Sequence, residues 1–183
     1  MTGNYVTCCG GVNLQFGRAL EAGDKITINA TVGPTAPHFL VRINIRDATG
    51  NLISFHVRTK LPEDKTPNFG QVVYNTLVNG KWGKEEFGVN PFAYNSAVQI
   101  TIHYTGSGYL VYSGRRLIHT YHLRHVPSVP LMFLEMNGNY RTNWVEMECA
   151  RGGGGPGNGG GPRPGRPGNG GGRGSSSSDS DEC

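Results

Sequence analysis

No run of apolar residues approaches the roughly 18 that a membrane-crossing helix requires, and the opening MTGNYVTCCGG has neither the basic stretch nor the apolar core of an export signal. The expectation is a soluble chain made in the cytoplasm, with no membrane insertion. Charge is also scarce: 17 Lys and Arg against 13 Asp and Glu leave a net +4, spread along the chain and not gathered into the dense basic face that duplex nucleic acid needs. Cysteine is limited to Cys8, Cys9, Cys149 and Cys183, without a Cys-x-x-Cys or any ligand spacing. Adjacent cysteines rarely bridge each other, so the four read as reduced thiols. Nucleophile elbow, P-loop and His-Glu-x-x-His are all missing, and the neighbouring carboxylates Glu85 and Glu86 would alternate faces on a strand. Neither catalysis nor a cofactor is expected. No window of about ten residues carries a helical apolar stripe, so the period expected of an amphipathic helix is missing as well.

Apolar side chains are present, but unevenly. Residues 151–183 hold 14 of the 29 glycines and 4 of the 11 prolines and not one Trp, Tyr, Phe, Leu, Ile or Val. Such a stretch has almost nothing to set against the entropy of ordering its backbone, so it is expected to be a disordered tail behind a single domain at residues 1–150. Within that domain the pattern alternates at period two, as in Lys25 to Val32, Phe39 to Arg46, Leu52 to Arg58, Val98 to Tyr104 and Tyr109 to Tyr112. These runs are rich in β-branched and aromatic residues and end in turn signals such as Ala48-Thr49-Gly50, Asn79-Gly80 and Ser113-Gly114. Ten or eleven strands and no helix predict an all-β sandwich of two antiparallel sheets. One face of each sheet then makes the core, and function belongs on an outward face.

Strand parity marks such a face. His56, Arg58 and Lys60 are two apart, whereas Phe55 and Val57 point the other way. A charged, proline-containing loop (Leu61 to Phe69) leads to Val73-Tyr74-Asn75, and the Asn79-Gly80 turn leads to Trp82-Gly83-Lys84-Glu85. A Trp beside Gly after a hairpin turn tends to show its ring to solvent. An aromatic ring flanked by hydrogen-bonding groups suits a sugar, which has an apolar C–H face and a rim of hydroxyls.

At these residues the chain resembles the galectins, the β-galactoside-binding lectins, whose signature is His-x-Asn-x-Arg, Val-x-Asn and Trp-x-x-Glu-x-Arg on three consecutive strands. The corresponding segments are His56-Val57-Arg58-Thr59-Lys60, Val73-Tyr74-Asn75 and Trp82-Gly83-Lys84-Glu85-Glu86-Phe87. Asn79-Gly80-Lys81-Trp82-Gly83 and Gly23-Asp24 extend the likeness to roughly residues 12–148. The resemblance implies a jelly-roll sandwich and non-catalytic binding of β-galactoside-containing glycans or glycoproteins. It implies that His56 donates to the axial galactose O4, Trp82 stacks under the apolar face, and Asn75 and Glu85 take the O6 side and the neighbouring sugar. Three positions depart from the signature: Arg58 replaces Asn, Lys60 replaces the first Arg, and Phe87 replaces the second. Lys60 keeps a cation able to pair with Glu85, though as a point charge without the rigid fork of Arg. Arg58 either fills the galactose subsite or reaches for an anionic group. The alternatives are therefore sulfated, sialylated or other non-galactose glycans, or a sugar-silent domain serving protein contacts. Weak single-site binding makes lectins depend on multivalency, so a homo-oligomer is expected. Galectins lack signal peptides and yet occur outside cells, which leaves the compartment open.

Other features are weighed more lightly. His119, His122 and His125 would align on a helix, but on a strand His119 and His122 diverge, so they read as surface histidines and not as metal ligands. Asn29-Ala30-Thr31 fits a glycosylation sequon that short motifs produce by chance. Arg-Gly segments of the tail resemble RNA-binding ones but carry no aromatic for base stacking. The tail reads instead as a spacer or as an aid to self-association. Some galectins have a Gly/Pro-rich tail that precedes the lectin domain, whereas here it follows. Ser175 to Glu182 would accept phosphates, and Cys183 could join two chains once oxidised.

Overall fold

The computed structural model describes residues 11–33, 41–59 and 71–150. Lys60, the loop from Leu61 to Phe69, the tail 151–183, and Cys8, Cys9 and Cys183 lie outside the described residues. Among the described residues twelve strands form and no helix: β1 Val12–Gln15, β2 Lys25–Val32, β3 Val41–Asp47, β4 Leu52–Thr59, β5 Val72–Val78, β6 Lys81–Trp82, β7 Glu86–Gly88, β8 Ala97–Tyr104, β9 Gly108–Ser113, β10 Arg116–His122, β11 Leu131–Gly138 and β12 Tyr140–Glu148. The sequence reading of ten or eleven fell short because β6 and β7 are too short to show an alternating pattern.

Seven strands make one sheet, in the order β1-β11-β3-β4-β5-β6 with β7 also on β5, and five make the other, β10-β9-β8-β2-β12. All pairings are antiparallel. Two-fold alternation buries one face of each: on β2 the sequence Lys-Ile-Thr-Ile-Asn-Ala-Thr-Val is buried at every second position. Ile26, Ile28, Ile43, Ile45, Phe55, Val57, Tyr74, Ile100, Ile102, Tyr109, Tyr121, Leu134 and Met136 meet in a single core.

β4 breaks strict parity usefully. Its register shifts against both β3 and β5 around Ser54 and Phe55, the mark of a β-bulge. Both of those residues are fully buried, so Ile53 and His56 emerge on the same outward face. Behind that face a row of hydroxyls joins the sheets. Tyr109 Oη lies 2.7 Å from Ser54 Oγ and Tyr121 Oη 2.7 Å from Thr76 Oγ1, and Thr76 Oγ1 donates to the Ser54 carbonyl at 3.1 Å. Phe55 packs between the two tyrosines, with ring centroids 4.7 and 5.7 Å away. Both of these phenols therefore have the partner that burial demands, and β4 and β5 are held directly beneath His56 and Asn75.

Just before β2 of the five-stranded sheet Asp24, fully buried, accepts from both Nη nitrogens of Arg18 at 2.8 and 2.9 Å, and from the backbone N–H groups of Glu21 and Ala150 at 2.7 Å each. One carboxylate thus fastens the entry to β2 and the exit of β12. Beside it, Cys149 is disulfide-bonded. This overturns its reading as a reduced thiol: sequence spacing carries no information on which distant cysteines a fold brings together, and the other three lie outside the described residues.

Candidate functional site

Cross-strand register assembles the outward face of the seven-stranded sheet into rows. Asn13, Glu135, Asn44, His56 and Asn75 stand opposite one another across β1, β11, β3, β4 and β5; Asn137, Arg42, Arg58, Val73 and Phe87 form the next row. The Asn79-Gly80 turn, with φ of 48° and 78°, has the left-handed geometry of a tight hairpin, and it returns the chain as β6 so that Trp82 closes the end of the face. A cavity of about 510 Å³ results, lined by Arg42, Asn44, Ile53, His56, Arg58, Asn75, Trp82, Gly83, Glu85 and Glu135. Five of the six residues picked out by sequence line it, while Lys60 lies outside the described residues.

Trp82 is half exposed, and its ring lies 4.5 Å from that of His56, centroid to centroid, at 51°. His56 itself is buried, and its Nδ1 is 2.6 Å from Asn44 Oδ1. The proton on that bond can be placed. Asn44 Nδ2 donates to the Glu135 carboxylate at 3.4 Å, so Asn44 offers its oxygen to the ring, and His56 Nδ1 must carry the hydrogen. Burial, then the nearby charges of Arg58 and Arg42, push His56 down to about 4, against a smaller opposing effect of Glu85. Near neutrality the imidazole is therefore uncharged, with Nε2 presenting a lone pair. The resemblance implies a donor at His56, whereas in this arrangement Nε2 offers a lone pair. The relay that sets the tautomer joins Asn44 on the preceding strand to Glu135 on the distant β11.

Arg58 also departs from expectation. Its Nη2 meets Glu85 Oε1 at 2.5 Å. Thus Arg58 is paired with the site carboxylate, and its charge is already matched. Asn75 accepts the Thr76 N–H at 2.8 Å and Arg124 Nη1 at 3.3 Å on Oδ1, and gives one Nδ2 hydrogen to the Gly83 carbonyl at 3.0 Å. A side chain at Gly83 would press on this group, since a Cβ there would sit 3.1 Å from Arg124 Nη1 and 3.2 Å from Asn75 Oδ1. Arg42 lines the cavity and has no hydrogen-bond or ion-pair partner among the described residues.

Glu85, in the segment between β6 and β7, and Glu86, which opens β7, part company. Glu86 faces away from the cavity and binds Arg124 at 2.6 Å and His119 at 3.3 Å. His119 is not a surface histidine: it stacks on Tyr74 with centroids 3.8 Å apart and planes within 11°. Among the described residues no three His, Cys, Asp or Glu converge as metal ligands. Asn29 of the sequon lies on β2, between β8 and β12, where its Oδ1 accepts from Asn143 Nδ2 at 2.8 Å.

Arg42, Asn44, Glu135 and Arg124 went unnoticed in the sequence reading. For three of them a signal existed: Arg42 and Asn44 alternate with Val41, Ile43 and Ile45 on β3, and Glu135 is a lone charge within the apolar run Leu131 to Met136. Nothing around Arg124 marks it.

Together these groups form an open polar face with an indole ring, an uncharged imidazole acceptor, two carboxylates and several directed N–H donors, a set suited to a polyhydroxylated ligand. Comparison with solved structures finds the same architecture in galectins. The Caenorhabditis elegans galectin LEC-6 superposes with a TM-score of 0.66 at 19% identity, covering 80% of this chain and 96% of that one. A toad ovary galectin in complex with thio-digalactose gives 0.64 at 16%, covering 77% and 100%. CG-16, a homodimeric agglutinin from chicken liver, gives 0.62 at 15%, covering 75% and 99%. No curated protein sequence matches the chain. The sequence profile of the galactoside-binding lectins matches residues 12–147, well over half of the protein, and the chain belongs to that family.

Proposed function

We propose that this face binds β-galactoside-type glycans without transforming them, with the apolar side of a galactose on Trp82 and its polar rim toward His56, Arg58, Asn75 and Glu85. The observation that carries this reading is the pairing of a half-exposed indole with a neutral, tautomer-fixed His56 on one cavity wall. His56 Nε2 accepts from one sugar hydroxyl, Arg58 and the remaining Asn75 N–H donate to sugar oxygens, and Glu85 accepts from a further hydroxyl. A few such bonds at about 0.5–1.5 kcal/mol net each, on a shallow surface, support single-site affinities on the order of micromolar to millimolar. Cross-linking of glycans then needs more than one site per particle; sedimentation of the full chain would show a dimer or larger species, and a monomer at all concentrations would remove that part.

A second reading keeps the site and changes the ligand. Because Arg58 is neutralised by Glu85, it is Arg42 that would receive a sulfate or sialic acid carboxylate extending from the galactose. A glycan array with the full chain at low and high salt separates the two. Binding to terminal galactosides that persists in salt supports the first, and binding restricted to anionic glycans and lost in salt supports the second. Absence of binding to either class refutes both.

The state of His56 gives a further prediction. Galactoside affinity should stay level from pH 7 to about 5 and fall as the pH approaches 4, when protonation of Nε2 replaces an acceptor with a donor. Calorimetric titrations across this range check it, and a fall centred near the ordinary histidine value of 6.5 would contradict the assigned environment.

A further inference from the structure

The family signature ends in an arginine where this chain has Phe87, yet a guanidinium does reach the back of the site from another part of the fold. Arg124 follows β10, in the connection to β11. Its Nη1 bonds Asn75 Oδ1 at 3.3 Å and also the Lys84 carbonyl, its Nη2 bonds Glu86 at 2.6 Å, and its Cζ lies 5.1 Å from the centre of the Tyr121 ring. It does not line the cavity. Asn75 Oδ1 has two lone pairs, and the Thr76 N–H and Arg124 fill both. The remaining Nδ2 hydrogen is then all that Asn75 can show a ligand. By holding the Lys84 carbonyl, the same guanidinium fixes the short segment between β6 and β7 that carries Glu85.

We propose that Arg124 is a positioning residue of the glycan site, making Asn75 a pure donor and setting the place of Glu85; the assignment rests on the galactoside-binding reading above. A planar fork is needed, because three acceptors, Asn75 Oδ1, the Lys84 carbonyl and Glu86, are served by two separated nitrogens. A lysine ammonium concentrates its donors at one point. It keeps the pairing with Glu86 but cannot also reach Asn75.

The test uses the full chain with Arg124→Lys and Arg124→Ala, and two readouts. One is the side-chain NH₂ signals of Asn75 in nitrogen-15 spectra without sugar, assigned through Asn75→Asp. The other is lactose titration by calorimetry. Expected for Arg124→Lys are a melting temperature close to the parent's, shifted Asn75 NH₂ signals, and lactose affinity weakened roughly tenfold. If Arg124→Ala does not fold, the lysine variant decides alone. Unmoved Asn75 signals with unchanged affinity in Arg124→Lys would overturn the proposal, since a merely structural charge would be rescued by lysine. Should the parent itself ignore lactose, the galactoside reading fails separately and the Asn75 signals still decide whether Arg124 positions that amide.

Discussion

Trp82→Ala is expected to remove measurable galactoside binding while leaving the sandwich intact. The indole is half exposed and sits on a two-residue strand at the sheet's edge, so it contributes little to the core. A sugar ring stacked on it would hide apolar surface worth about 2–3 kcal/mol by area and ring contact combined, or roughly 30- to 150-fold in affinity. For a ligand held at micromolar to millimolar strength, that loss passes beyond the reach of ordinary titration. Replacing an exposed side chain that plugs no core shifts stability by about 0.5 kcal/mol or less, so the melting temperature should hold. Calorimetry with lactose beside thermal unfolding checks both halves. Retained affinity in a folded Trp82→Ala protein would place the ligand elsewhere.

The second large effect lies far from the sugar. Asp24→Ala is expected to destabilise the domain by about 2–4 kcal/mol, because Arg18 and the N–H groups of Glu21 and Ala150 all lose the same partner. Arg18 is partly exposed and recovers some solvation, which keeps the figure below that of a fully buried pair. Urea unfolding measures it, and a change under about 1 kcal/mol would show that the fastening carries little weight. The carboxylate also gives stability a pH dependence. Burial alone would raise its pKa, but the hydrogen bonds from Arg18 and from the Ala150 and Glu21 amides outweigh burial and leave it lowered. The unfolded state therefore binds the proton first. Asp24's contribution is complete above the ordinary aspartate range and is lost as pH falls through its lowered native pKa. His56 acts in the same direction over a higher window, since between 6.5 and about 4 the unfolded chain takes up a proton that the folded one refuses. His119, lowered by burial, adds to the upper window, and Glu86, which burial would raise and Arg124 leaves lowered, adds to the lower one; Asp24→Ala should therefore shrink the low-pH decline of the parent and leave the upper one unchanged.

Much of this architecture can be read from the chain because a sandwich writes its core at period two. The strict alternation in β2 and the tight turn before Trp82 are local facts, and locally they sufficed. What spacing could not report is lateral order. His56 touches Asn44, twelve residues earlier, and through it Glu135 on a strand that pairs with β3 only after the chain has traversed the other sheet. Glu85 finds Arg58, 27 residues earlier and two strands away across β5, a pairing that spacing does not show. Arg124 reaches Asn75 across the gap between the sheets' edges, a relation with no footprint in spacing. The disulfide at Cys149 is legible from spacing no better.

The hydroxyl row beneath β4 and β5 bears on how the ligand preference of such a protein can change. Ser54, Phe55, Tyr74 and Thr76 face inward and join the sheets, while His56, Arg58 and Asn75 face outward. The two sets interleave along the same strands and meet where the Thr76 N–H bonds Asn75 and where Tyr121 lies under Arg124, so substitutions of the inner row should couple most to Asn75 and least to Trp82 at the sheet edge. New glycan preferences can then accumulate most freely at the sheet edge, where a changed side chain leaves the foundation as it was.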